Sequence, residues 1–184
     1  MNIFYLHTDP VQCAKWHCDQ HVTKMILEYA QLLSTAHRVC DGEEVQMLSN
    51  SGKRMVIQFK LKDGRESHLY KCAHMNHPSN IWTRMSTRHY KWLYQLWLCL
   101  CQEFYSRYGK DHSTYKKLRL HLSNVPDNID DLGFKAPPQC MPDECKIAGT
   151  NDPEGNTIQA YRNFYKAHKR EFATWKTEIP AWFN

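Results

Sequence analysis

Seven polar residues near the start of the chain, His17, His21, Lys24, Glu28, Gln31, Thr35 and Arg38, follow one another at alternating separations of 4 and 3. On a helix that spacing places all of them on one face. The types suit proton transfer and anion stabilisation. His17, His21 and Glu28 can accept a proton near neutral pH, and Lys24 and Arg38 can neutralise a departing anion. A solvated face carrying a Lys24–Glu28 pair would explain the same pattern. The rest of the helix argues against it, because Val22, Met25, Ile26, Leu27, Tyr29, Leu32 and Leu33 make it apolar on nearly every other bearing. A helix of that kind is buried, and buried charges need partners. The expectation is that His17, His21, Lys24 and Glu28 line one cleft as catalytic residues.

A second cluster, His74-x-Asn76-His77-Pro78-Ser79, precedes a helix start, with Trp82 and Arg84 in the first turns. Free N–H groups and the helix dipole favour an anion there, and an aromatic ring offers a stacking surface for a flipped base. Gln31, Arg38, His74, Asn76, His77, Ser79, Trp82 and Arg84 are therefore the expected substrate-binding set. The plainer alternative is that Asn76 or His77 caps the helix and Trp82 belongs to the core. His17 and His21 also have the i, i+4 spacing of metal ligands, and zinc could be completed by Cys13 or Cys18 with His74 or His77. No Cys-x-x-Cys pair supports it, Cys99 and Cys101 fall on different helix faces, and Cys140 and Cys145 lie in a loop. The reading is no cofactor, with zinc as the alternative.

The elements that must position these groups follow from local signals. Asp9-Pro10 starts a helix over 10–38 and Asp41-Gly42 stops it. Residues 43–69 change to a period of two, with turns at Asn50-Ser51-Gly52 and Asp63-Gly64, giving a β-hairpin or small three-stranded meander. A long helix over 78–108 ends at Gly109, a basic helix covers 113–122, and 123–156 reads as a long surface loop. A last helix over 157–175 stops before Pro180. The fold class is mainly α, a compact helical domain with one inserted β-hairpin and a single domain over 1–184.

A length of 184 residues, 42% of them apolar, suits one packed domain and excludes a disordered chain. Neither a Walker nor a dinucleotide glycine pattern occurs. The N-terminus shows no signal peptide, and the longest apolar run, 92–101, is broken by Gln95 and falls short of the roughly 18 residues that a span requires. A cytoplasmic protein with reduced cysteines and no membrane partner is expected. Net charge is +5, and residues 53–119 hold 14 Lys/Arg against 4 Asp/Glu. Such asymmetry points to DNA as a partner.

The segments 14–28 and 31–38, Asn76-His77-Pro78-Ser79-x-x-Trp82, Met141-Pro142-Asp143-Glu144 and Tyr161-Arg162-Asn163-Phe164-Tyr165 together resemble a widespread family of small tailed-phage proteins. The associated activity is that of amino-acid:DNA transferases of thymine hypermodification. The resemblance implies a phage enzyme in the host cytoplasm that attaches a small amine or amino acid to an activated 5-hydroxymethyluracil in DNA. A second reading is a pyrimidine-dimer DNA glycosylase/lyase, in which the amine of Met1 forms a Schiff base and Glu28 assists. A third is a phage interaction protein without catalysis.

Overall fold

The computed structural model describes residues 1–49, 51–149 and 153–184, together with the backbone but not the side chain of Pro153 among the last of these. It is mainly helical with one two-stranded antiparallel hairpin. Helix α1 (Pro10–Trp16) starts as expected, the Asp9 carboxylate accepting the Val11 N–H and Pro10 occupying the first turn. The expected continuous helix then breaks. His17 is extended, and the chain re-enters a helix as α2 (Asp19–Asp41).

Arg107 accounts for the break. Its side chain is fully buried, and all five guanidinium N–H groups are engaged. They reach the carbonyls of Lys15 and His17 at 3.0 and 2.9 Å, Asp19 at 3.1 Å, and Glu103 twice, at 2.9 and 3.1 Å. Carbonyls freed at the end of α1 thus find charged donors, which offsets the interrupted ladder.

Only Gly42 separates α2 from strand β1 (Glu43–Leu48), which pairs with β2 (Met55–Lys60) from Glu43↔Lys60 to Leu48↔Met55. A Cβ at Gly42 would sit 2.5 Å from the Arg38 carbonyl oxygen, so a direct passage from helix to strand requires glycine. Of the expected first turn, Asn50 lies outside the described residues; Gly52 takes a left-handed φ of 68°. The third strand of a meander does not form. Asp63 instead caps a 3-10 turn, Gly64–Ser67.

The helix expected over 78–108 is likewise two, α3 (Pro78–Met85) and α4 (Thr87–Tyr108). Ser86 between them is extended, and its hydroxyl accepts the N–H groups of Arg88 and Leu132. The loop beyond α5 (Ser113–Leu118) docks into this joint: Thr87 N–H donates to the Asp130 carbonyl and Lys135 N–H to His89 Nε2. Residues 123–149 are therefore a pinned arm. It contains a 3-10 turn, Asp143–Cys145. Helix α6 (Pro153–His168) starts before the expected 157 and ends well short of 175, after which the tail folds back, Trp175 Nε1 donating to the Trp16 carbonyl.

The core lies between α2, α4 and α6, threaded by the buried segment Ile3, Phe4, Tyr5 and Leu6. Among the described residues, no helix is long and apolar enough to cross a membrane.

Candidate functional site

The seven-residue stripe divides into three environments. His17 sits outside α2 and is fully buried. Its Nδ1 donates to the Cys13 carbonyl at 2.8 Å and its Nε2 accepts from the Tyr29 hydroxyl at 3.1 Å, while the Tyr29 oxygen accepts the Phe4 N–H at 3.0 Å. Burial pushes its pKa down to about 4, with the Arg107 charge adding to the effect. The ring is neutral and has no lone pair to spare, so the expected base role for His17 is corrected to that of a core pin. Thr35 and Arg38 are committed in the same way. The Thr35 hydroxyl accepts the Ala73 N–H. All five N–H groups of Arg38 go to Glu66 and to the carbonyls of Phe59, Glu66, Leu69 and Tyr70, so the guanidinium offers a substrate nothing.

His21 occupies an aromatic cage. Phe4 stacks on it at 4.2 Å, Phe172 and Tyr165 approach edge-on, and its Nδ1 is hydrogen-bonded to the Tyr165 hydroxyl at 2.5 Å. Burial, then the neighbouring His17 ring and the charges of Lys169 and Lys24, push its pKa down to about 2. Tyr165 lies 144 residues away and was not part of the expected site. Its place in the Tyr161-Arg162-Asn163-Phe164-Tyr165 segment was its signal in the sequence.

Lys24, Glu28 and Gln31 face outward. Lys24 is 64% exposed and pairs with Glu28 at 3.5 Å; Glu28 is 19% exposed. Gln31 is half-buried and makes no hydrogen bond among the described residues. Opposite them stands the loop 72–77. The Ala73 and His74 carbonyls accept from Asn80, the Met75 carbonyl accepts from Arg84, and His74 takes a left-handed φ of 49°, a strained conformation for a residue with a Cβ. His77 caps α3, its Nδ1 accepting the Ser79 N–H at 3.2 Å. A neutral His77 therefore carries its proton on Nε2. Its pKa is lowered by burial and by the Met1 amine and His74, and raised in part by Glu28.

The anion site expected at the start of α3 is not available. Pro78 has no N–H, Ser79 N–H is spent on the His77 ring, and Asn80 N–H on the His77 carbonyl. The Ser79 side chain is buried, its hydroxyl directed at Cys140 Sγ at 3.6 Å. Trp82 is 5% exposed, lies flat on His89 at 4.4 Å, and donates from Nε1 to the Lys135 carbonyl. It is a core residue rather than a stacking platform. Arg84 is half-buried against the loop, and Asn76 is exposed. The expected single cleft gives way to a rim where the loop meets α2 at Ala73 and Thr35, with Lys24, Glu28, Gln31, His74, Asn76 and His77 exposed or half-buried around it. The larger cavities are elsewhere, one of about 450 Å³ lined by Lys15, Trp16, Glu103 and Pro180 among others.

The zinc set built on His17 and His21 does not assemble, since both ring nitrogens of His17 and the thiol of Cys13 are occupied within the core. The basic surface is real. Lys53, Arg54, Lys60 and Lys71 on the hairpin side, and Lys116, Lys117 and Arg119 on and just after α5, are exposed and without a carboxylate partner among the described residues. Tyr70 joins the two groups, its hydroxyl 3.2 Å from Thr114 Oγ1 and its ring under Lys117 at 4.9 Å. Comparison with protein-family models, curated proteins and solved structures gave no match.

Proposed function

We propose that the protein is a DNA-modifying enzyme that transfers an amine or amino acid to an activated 5-hydroxymethyl pyrimidine, with the rim between α2 and the histidine loop as its reaction site. The observation that carries this reading is that the one carboxylate of the stripe, Glu28, is partly exposed beside Lys24 instead of sequestered in the core, with its charge felt at the His77 ring. His17 and His21 are held neutral inside the core, which leaves Glu28 as the proton acceptor of the stripe.

The chemistry balances with these groups. The amine nitrogen attacks the methylene carbon, the C–N bond forms, and the C–O bond to pyrophosphate breaks with its electron pair leaving on oxygen. The proton lost by the nitrogen goes to Glu28. Lys24 and the Nε2–H of His77 stabilise the leaving anion. The basic surface holds the DNA backbone, so affinity should fall steeply between low and physiological salt. A flat salt response would count against DNA as the partner.

The test is incubation with DNA carrying pyrophosphorylated hydroxymethyluracil and a panel of amines and amino acids, followed by nucleoside mass analysis. An amine adduct supports the reading. A Schiff base trapped by borohydride on dimer-containing DNA, without an adduct, replaces it by a glycosylase/lyase. Neither product, with no DNA binding, replaces it by an interaction protein.

A further inference from the structure

Three side chains that play no part in that chemistry converge where the docked arm meets the end of α6. Glu144 and Cys145 stand in the 3-10 turn Asp143–Cys145, and His168 is the last residue of α6. His168 Nε2 lies 3.1 Å from a Glu144 carboxylate oxygen, and these atoms and the Cys145 sulfur all lie within 4.8 Å of one another. Among the described residues this is the one group of metal-ligating side chains so closely gathered.

A surface ion pair would account for Glu144 and His168, which are 64% and 37% exposed, but such a pair contributes little and has no use for a sulfur beneath it. Cys145 is buried, and its sulfur lies within 4.8 Å of both other donors. Zinc bound at about 2.3 Å from sulfur and about 2.0–2.1 Å from nitrogen and oxygen needs donor separations of roughly 3.3–3.7 Å. His168 and Glu144 already stand 3.1 Å apart, so the gap to close is the one to the sulfur, through rotation of these two exposed side chains. Asp143 is already paired with Lys146 at 2.7 Å, so the donor set stays at three.

We propose that Glu144, Cys145 and His168 bind a zinc ion, with water in the fourth position. A thiolate, an imidazole and a carboxylate are the donor types that zinc takes, and three protein ligands leave one position open. Binding releases the Cys145 proton, because the ligand is the thiolate. The ion clamps the arm to α6 one turn beyond Phe164, which packs on the Phe4 ring that covers His21. This site is independent of the transfer reaction proposed above.

The full chain, stripped with chelator, is titrated with cobalt(II) as a spectroscopic probe and then with zinc. The expected result is one ion per chain, an intense thiolate-to-cobalt band in the near ultraviolet, and displacement by zinc. Cys145→Ser and His168→Gln should each weaken binding by at least the roughly 10- to 100-fold that removal of even an outer partner costs, with unchanged circular dichroism. Glu144→Gln, at an exposed position, keeps the test available should either variant fold poorly. Saturable binding that survives these changes, cobalt binding without a thiolate band, or no binding at tenfold excess overturns the proposal.

Discussion

Replacing Arg107 by Met removes a side chain that joins α1, α2 and α4, and the structure fixes what the loss should cost. Met approximates the stem volume, so packing is largely kept. The five hydrogen bonds vanish, leaving the carboxylates of Asp19 and Glu103 and the carbonyls of Lys15 and His17 without their donor. Breaking a buried ion pair by removing one partner costs about 3–5 kcal/mol. The two carboxylates retain 14% and 16% exposure and can regain some water, which places the loss near the lower end, at about 3 kcal/mol. With a urea slope of about 2 kcal/mol per molar, the unfolding midpoint should fall by about 1.5 M at unchanged slope. Glu103→Gln, which keeps an acceptor for the guanidinium, should lose only about 1 kcal/mol. A loss for Arg107→Met below about 1 kcal/mol, or no greater than that of Glu103→Gln, would refute the assignment of the helix break to this residue.

Glu28→Gln should leave the urea midpoint within the error of measurement, because its partner Lys24 is largely exposed, while adduct formation falls by roughly 10²- to 10⁴-fold; an intact rate removes Glu28 as the base. Arg38→Lys offers at most three donors where five are used, so it should destabilise the fold by about 1–3 kcal/mol and leave the salt dependence of DNA binding unaltered; a weakened DNA affinity in a fully stable variant contradicts this. His17 and His37 have folded pKa values lowered from 6.5 to about 4, chiefly by burial. Below 6.5 the unfolded chain takes up protons that the folded one does not, so stability present at neutral pH should be lost as pH falls from 6.5 to 4, by about 1.4 kcal/mol per pH unit for each ring. Urea midpoints across that range check the slope, which His37→Gln should reduce.

Local signals in the sequence identify the first helix start and two helix ends. Asp9-Pro10, Gly42 and Gly109 each sit where the chain begins, leaves or ends a helix. Both helix breaks escape such signals because distant residues cause or exploit them. Arg107 reaches the first from the far end of α4, and the arm around Asp130 and Lys135 fills the second. Ser86 was a readable cap, obscured by the unbroken apolar periodicity on either side of it. The stripe was legible as a set of polar groups needing partners, and most of them have partners. What spacing does not reveal is who those partners are. Once the break at His17 removes that residue from α2, its place in the 4, 3 series loses its meaning, and the His77 ring turns from anion ligand to cap because Pro78 leaves so few N–H groups to cap.

The single-residue joint at Gly42 makes the hairpin a fixed extension of α2. Arg38 bolts the two together through the Phe59 carbonyl and Glu66, so no hinge separates the rim from the strand ends. From Glu28 to Asp41 the helix measures about 20 Å at about 1.5 Å per residue. The six residues of β1 add about 20 Å at about 3.3 Å each. Together they form a caliper whose jaws are at most about 40 Å apart, about a dozen steps of stacked bases at about 3.4 Å each. On the function proposed above, DNA gripped at both ends would be measured as well as held. Residues added to the hairpin tip would lengthen the ruler without disturbing its zero, whereas a residue inserted beside Gly42 would swing the whole scale.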